Sequence, residues 1–479
     1  MARRSTHPPL NVFLNDRLVG QLRREKSGAI DFQYGEGWLA WEHAMPISLS
    51  LQLREDRYIG APVIAVFDNL LPDNIEIRKR VAAKMKAGGT DAYSLLSAVG
   101  RDCVGALQFL PMDTAPNALD DIDGEELNEE QMEAILSDLK AAPLGLGRDQ
   151  EFRISIAGAQ EKTAFTWWNG KWILPHGTTP TTHIFKPQIG ELPNGIDLKH
   201  SVENEYFCLK LCQNMGLPSA AVEMGRFGDK SVLIVERFDR QIDGKRILRL
   251  PQEDMCQALG VPPEAKYQSD GGPKMEDILI FLRGSNTPEI DQANFIKSNI
   301  LFWLIGATDG HAKNFSIAIE PGGRSSMTPL YDVLAAEPSF ASGDIRRSKY
   351  RLAMSVGNNR HYQMIEIMPR HFVQTAKRAD IGQGAVEAIF ADVRKQAENA
   401  LEKTIADLTP GFPAELVEPV AEAFRKRLAL TANLCSAREL ERVWFKKIGH
   451  NARVWFIRPV PCDFAIVHAL FSQSCGRRQ

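Results

Sequence analysis

Apolar and polar positions alternate from Asn11 to Leu22 around a polar break at Asn15-Asp16, the pattern of two strands joined by a tight turn. Ala29 to Tyr34 continues it as a third strand. The period then lengthens to that of helices. Ala61 to Leu71 and Ile75 to Lys86 predict two helices divided by Pro72-Asp73; a third, capped by Thr90, ends before Gly100, and Val104 to Leu110 closes the unit as a strand. A compact α+β module is expected over residues 1–110. Acidic residues crowd the stretch from Asp113 to Glu133, with little apolar content before Met132, so residues 111–150 are expected to form a solvated linker running into a helix. After Gly147 short strands return: Arg153 to Ala157, Thr163 to Trp168, Trp172 to Leu174 and His183 to Lys186. Helix Val202 to Met215 follows, then strands to Val235, and from Gln252 helices dominate. These patterns predict a mixed-sheet lobe over 151–250, an all-helical lobe over 251–436 and an atypical tail over 437–479, an order that suits a nucleotide bound between two lobes.

A chain of 479 residues, 44% hydrophobic and 24% charged, buries a large core of ordinary globular make-up. Its formal net charge of -3 argues against a polybasic nucleic-acid binder and leaves room for a regional patch alone. Arg346, Arg347, Lys349 and Arg351 form one, readable as a solvated loop or as a meeting place for phosphate backbone. No apolar run approaches the ~20 residues that cross a bilayer, and no signal-peptide pattern follows Met1, so a soluble, cytoplasmic protein with no membrane partner is expected. The seven cysteines (103, 208, 212, 256, 435, 462 and 475) contain no C-x-x-C pair and read as reduced thiols. Cys208 and Cys212, four apart on the apolar face of a helix, read as core rather than as metal ligands. In the tail, Arg442 to Phe445 and Arg453 to Phe456 interleave basic and aromatic residues; no function is assigned to them.

The candidate chemistry starts at Asp309. It lies in Thr308-Asp309-Gly310-His311-Ala312-Lys313-Asn314, a polar loop fed by the apolar helical run Ile300 to Ala307. An Asp with an Asn five positions on is the spacing of a kinase catalytic loop, in which the Asp takes the proton of a substrate hydroxyl and the Asn helps to hold a metal ion. Asp332, eighteen residues after Asn314, stands where a kinase places its second metal-binding group, although Val333-Leu334 follows it instead of Phe-Gly. A D-x-x-x-x-N pair is also ordinary loop chemistry, so the upstream parts decide. Lys186 ends an apolar strand as a phosphate-binding lysine does, and also reads as a surface lysine before Pro187. Glu205 shares the inward face of its helix with Cys208, Cys212 and Met215, where a carboxylate needs a cation, so a Lys186 to Glu205 ion pair is expected. Ala157, Gly158 and Ala159 would let backbone N–H groups approach phosphate, with Lys162 adding charge; the alternative is a tight turn between strands. Glu236 and Phe238, after the strand Ser231 to Val235, fall where the link between lobes offers its backbone to adenine and a ring to stack on it.

Taken together, Arg153 to Ala164, Glu236-Arg237-Phe238-Asp239-Arg240, Leu250 to Gln257, Ser269 to Pro273 and Leu304 to Phe315 resemble the HipA family, serine/threonine kinase toxins of HipAB toxin–antitoxin systems, over about Val12 to Leu430. The resemblance implies an α+β, two-lobed, protein-kinase-like fold with an added N-terminal subdomain. It implies ATP and Mg2+ as cofactors, Asp309 as catalytic base, Asn314 and Asp332 as magnesium ligands, and Ala157, Gly158, Ala159, Gln160, Glu161 and Lys162 as the phosphate loop. Lys186, Glu236, Phe238, His311 and Lys313 would line the ATP site. Ser155 matches a serine that the family autophosphorylates, a change that would inactivate the kinase by adding charge beside the phosphate loop. The implied partners are a HipB-like helix-turn-helix antitoxin, operator DNA through that complex, and glutamyl-tRNA synthetase as the substrate whose modification halts translation. A kinase-like binding module acting as co-repressor, and a small-molecule kinase, stay open as alternatives. The tail beyond Ala437 departs from the family.

Overall fold

The alternating residues at the start of the chain build a five-stranded antiparallel sheet in the order Tyr58–Ile59, Ile30–Tyr34, Arg17–Arg24, Leu10–Leu14, Leu107–Pro111. The computed structural model describes residues 7–146, 154–158, 160–192 and 195–434. Asn15 takes a left-handed conformation (φ 54°) to close the first hairpin. Gly20 lies against the Gln33 carbonyl so closely that no Cβ fits there. Helices Ala61–Phe67, Ile75–Met85 and Ala92–Val99 cover the sheet. The cap of the last is Asp91 and not Thr90: its carboxylate accepts the Ser94 N–H at 3.1 Å.

A six-stranded antiparallel sheet follows, ordered Val222–Phe227, Lys230–Glu236, His183–Pro187, Thr163–Trp168, Lys171–Pro175, Gly124–Leu127. Its last strand comes from the acidic stretch expected to be linker. Backbone pairing asks nothing apolar of an edge strand, and Glu126 meets Lys171 across it at 2.6 Å. The strand expected from Arg153 to Ala157 is absent among its described residues; Arg153 itself lies outside them. Ile154 makes one isolated bridge to Asp102, and Gly158 one to Pro72, so this segment follows the N-terminal module instead of joining the sheet. One apolar cluster therefore runs from that module through Ile154 and Ile156 to Phe165 and Phe185.

The second cluster belongs to the helical lobe. Helix Pro288–Ile305 runs through it, with Trp303 fully buried, and stops at Gly306 (φ 73°), where a Cβ would strike the Tyr350 hydroxyl and the Glu337 carboxylate. Helices Gln383–Ala406 and Ala414–Leu430 pack beside it. To the expected helices the structure adds two small antiparallel sheets: Gln252–Asp254 with Ser316–Glu320 and Arg324–Met327, and Arg351–Val356 with His361–Gln363. The tail, including Arg442 to Phe445 and Arg453 to Phe456, lies outside the described residues.

Buried charge joins the module to the rest. Asp102 (2% exposed) accepts bonds from Arg240 Nη2 and Arg249 Nε at 2.9 Å each, from Thr181 Oγ1 at 2.7 Å and from Arg237 Nη1 at 3.3 Å. Burial alone would raise its carboxyl, but the guanidinium groups of Arg240, Arg249 and Arg237 hold it well below the usual range. Asp239 balances the excess cation, bonded to Arg237 at 2.8 Å and to the Gly105 N–H at 2.7 Å. Removing one member of such a cluster strands the others. Asp102→Ala should therefore lower folding stability by about 3–5 kcal/mol, measured as a lower thermal midpoint; an unchanged midpoint would show that the cluster is dispensable.

Candidate active site

Between the two lobes lies a cleft of about 940 Å³, walled by the six-stranded sheet, the polar loop after Gly306 and residues 69–77 of the N-terminal module. All the residues singled out for nucleotide handling line it except Ala159, which lies outside the described residues, and Glu205, which reaches it through Lys186.

Lys186 leaves the end of strand His183–Pro187 and places its ammonium 2.7 Å from Glu205 Oε1 and 2.9 Å from Asp332 Oδ1. Helix Ser201–Asn214 supplies Glu205 from its buried face, beside the fully buried Cys208 and Cys212. Burial works against the ammonium, but Asp332 and Glu205 hold it charged well above its ordinary range. Asp332 sits at φ 59°, a left-handed kink that Asp tolerates, just after Leu330 bridges to Ser219. Burial would raise its carboxyl; Lys186 and then Lys162 push it far down instead. Its second oxygen faces Asn314 Nδ2 at 3.5 Å. Asp332 offers hard carboxylate oxygens in a partly open site, whereas the Asn314 amide oxygen accepts the His311 N–H at 3.2 Å and would have to turn to serve a metal. Such oxygens fit magnesium, which takes few protein ligands and completes its shell with water and phosphate. Among the described residues no cluster of three or more His, Cys, Asp or Glu side chains is placed to hold a metal without such help.

Asp309 is exposed at the cleft and receives the Tyr267 hydroxyl on Oδ1 at 2.6 Å. His311, two residues on, is buried, with Nδ1 unbonded and its ring 4.8 Å edge-on to Tyr267. Burial lowers its imidazole to about 3, so it stays neutral.

The segment 154–162 is not a free loop. Gly158 takes φ 112°, its carbonyl accepts the Asp73 N–H at 3.0 Å, and a Cβ on it would meet Lys162 Nζ at 2.5 Å. Lys162 is buried and rests on the Ala157 carbonyl at 2.8 Å. Burial, then the charge of Lys186, lowers its amine to about 8. Gln160 reaches the Pro187 carbonyl at 3.0 Å and Glu161 pairs with Arg80, so neither side chain is turned to the cleft centre. Ser155, wholly buried, donates to the Leu70 carbonyl at 2.8 Å while its N–H donates to the Asp102 carbonyl at 3.0 Å.

Three expected ATP-site residues divide differently. Glu236 is exposed at the end of its strand, and Phe238 lies 6.0 Å from the ring of Tyr331. Lys313, expected to line the ATP site, does line the cleft, and its ammonium is bonded to Asn69 (Oδ1 at 2.7 Å, carbonyl at 3.0 Å) and lies 3.3 Å from both Asp73 and Asp254. It borders the cleft as a brace to the N-terminal module. Asn69, Asp73, Tyr267 and Tyr331 went unnoticed in the sequence. The first two belong to the N-terminal module, far in sequence from every motif singled out, and Tyr267 lies beside the Ser269 to Pro273 motif without any spacing that marks it. Arg346, Arg347, Lys349 and Arg351 are exposed and form no ion pair among the described residues.

Comparison with known proteins places these observations. A family model described as HipA N-terminal domain matches residues 10–110, and one described as HipA-like C-terminal domain matches residues 154–401. A putative kinase, Y4mE, of Sinorhizobium fredii is 34% identical over 83% of this chain and 92% of its own. The serine/threonine-protein kinase toxin HipA of Shewanella oneidensis is 28% identical over 68% of this chain and 75% of its own. The solved complex of Shewanella oneidensis HipA, HipB and operator DNA shares the fold, with a TM-score of 0.71 at 20% identity over 88% of this chain and 97% of that one. With both halves matched in tandem and the relatives spanned over most of their length, the chain belongs to the HipA family of kinases.

Proposed function

We propose that this protein is a serine/threonine kinase that acts as the toxin of a toxin–antitoxin pair. The observation that carries the reading is Lys186, shared between Glu205 and Asp332 across the cleft from a solvent-open Asp309. Lys186 and Lys162 would receive the phosphates of ATP, and Phe238 would pack against the base. Asp332 and Asn314 would hold magnesium, which neutralises charge on the β- and γ-phosphates when bound. Asp309 would orient a serine or threonine hydroxyl and accept its proton as the hydroxyl oxygen bonds to the γ-phosphorus and the bond to the ADP oxygen breaks. Such chemistry is mainly positioning, which suits a cleft whose charged groups are already held by one another.

Ser155 would be the self-modification site. A phosphoserine with about two negative charges and three acceptor oxygens does not fit where the hydroxyl now lies, so the segment must leave its seat and the phosphate loop with it. A HipB-like antitoxin, with operator DNA through that complex, and glutamyl-tRNA synthetase as target are carried over from the family as further parts of this proposal.

Asp309→Asn should reduce phosphate transfer from labelled ATP to protein by about a hundredfold or more while leaving ATP affinity within a few-fold. Undiminished transfer would refute the base. Ser155→Ala should stay active through long exposure to ATP, whereas the parent chain gains mass and loses activity; equal decay of both would remove the self-inactivation. Because the Lys162 amine is lowered to about 8, its charge fades as pH rises through that value. ATP affinity of the free protein should fall there, with proton uptake on binding seen by calorimetry, and Lys162→Met should abolish both effects.

A further inference from the structure

The carboxyl of Asp309 is anchored by a single side chain. Tyr267 Oη donates to Oδ1 at 2.6 Å, and among the described residues no other hydrogen bond reaches that carboxyl. Oδ2 is left facing an open cleft. A base with one oxygen tied has lost most of its freedom to rotate, so its second oxygen meets an incoming hydroxyl in a defined direction.

The tyrosine is itself built in. Its neighbours are both pinned: Lys266 to Asp73 at 2.8 Å, and Gln268 to Ser355 through two bonds of 2.7 and 3.0 Å. Behind it the chain turns tightly, with Gly271 at φ 91° and the Gly272 N–H returning to the Tyr267 carbonyl at 3.0 Å. Gly272 presses on the Ala265 carbonyl so closely that a side chain there has no room. The ring stands edge-on to His311 at 4.8 Å, which leaves the hydroxyl one direction to point. This tyrosine therefore comes from a rigid turn outside the polar loop, yet ends on the loop's acid.

We infer that Tyr267 is a positioning residue for phosphoryl transfer, holding Asp309 by Oδ1 so that Oδ2 takes the proton of the substrate hydroxyl. The inference rests on the proposed role of Asp309 as base. The protein crowded around the cleft raises that carboxyl most although its edge meets solvent, the Tyr267 bond lowers it, and the charges of Asp332, Lys266 and Asp73 also bear on it.

Four full-length proteins test this: the parent chain, Tyr267→Phe, Asp309→Asn and the double variant, assayed for transfer of labelled phosphate from ATP to protein acceptors, the chain itself included. Phenylalanine keeps the ring against His311 and removes only the hydroxyl. Tyr267→Phe should lower kcat about tenfold, the size of one hydrogen bond to a charged group, with KM for ATP within twofold. The acid limb of kcat should move to higher pH, because the lost bond favoured the ionised carboxyl. The double variant should transfer no more slowly than Asp309→Asn, since the phenol then has no base to hold. A parent-like kcat and pH limb in Tyr267→Phe, beside a dead Asp309→Asn, would remove the inference and leave the base in place. A faster Tyr267→Phe would mean that the phenol blocks the base, and overturns the inference as well. Full activity in Asp309→Asn, or none in the parent, would take the proposed function down and this inference with it.

Discussion

A carboxylate almost wholly withdrawn from water ties the two parts of this molecule together. Asp102 lies between the last helix and the last strand of an α+β module whose sheet is separate from that of the kinase core, yet its charge is answered by Arg237, Arg240 and Arg249 from the core. The Cys103 carbonyl accepts from Arg237 and Arg240 at 2.8 and 3.0 Å, so backbone as well as side chain is held. A buried ion cluster of this kind adds little net stability compared with apolar packing, but it permits one docking geometry and strands several charges in any other. The N-terminal module is thereby fixed where Leu70, Pro72 and Asp73 can reach the segment 154–158 and where Asn69 and Asp73 can reach Lys313. One wall of the cleft, including Asn69, Leu70 and Asp73, depends on that placement.

Within the cleft the charges are arranged so that the two lysines differ. Lys186 is flanked by two carboxylates and remains a cation throughout the physiological range. Among the described residues Lys162 has only the Ala157 carbonyl in bonding distance, and it stands near another cation, so its charge is incompletely met. An incoming polyanion, on the proposed reading, would therefore find its least contested partner in Lys162 and a shared one in Lys186. His311 stays neutral beside them. The loop that carries it is shaped by its own amide: the His311 N–H reaches Asn314 Oδ1 at 3.2 Å, one turn that brings Asn314 back toward Asp332.

What the sequence discloses, and what it hides, follows from the range of the interactions involved. The first hairpin, the helix carrying Glu205 and the apolar run ending at Gly306 rest on local periodicity, and each lies within a residue or a few of its expected bounds or inside a longer helix. The Lys186 and Glu205 contact was legible because an acid on an apolar helix face demands a cation. The role of Lys313 was not: its partners Asn69 and Asp73 are more than two hundred residues away, and nothing in its own loop distinguishes a brace from a phosphate ligand. The strand Gly124–Leu127 was hidden for a different reason, since an edge strand needs only backbone partners and its acidic side chains read as linker. Arg237 shows a third kind of limit. Its neighbours Glu236 and Phe238 face the cleft, while its own guanidinium turns into the Asp102 cluster, as alternation along an extended segment dictates only once one face is known to be buried.

The segment from Ile154 to Gly158 shows how one conformation serves two ends. Had it joined the six-stranded sheet as a strand, it would have been held by a ladder of backbone bonds and could leave only by breaking the sheet. It is held instead by two isolated bridges, the Ser155 hydroxyl on Leu70 and the Lys162 ammonium on Ala157. Few bonds mean a low free energy of local release, although Ile154 and Ile156 are buried and oppose it. The geometry that offers Gly158 and Lys162 to the cleft is also the geometry that seals the Ser155 hydroxyl away from it. On the proposed reading, a chain that exposes Ser155 would have to give up the seated conformation of residues 154–158, because the same few bonds hold both.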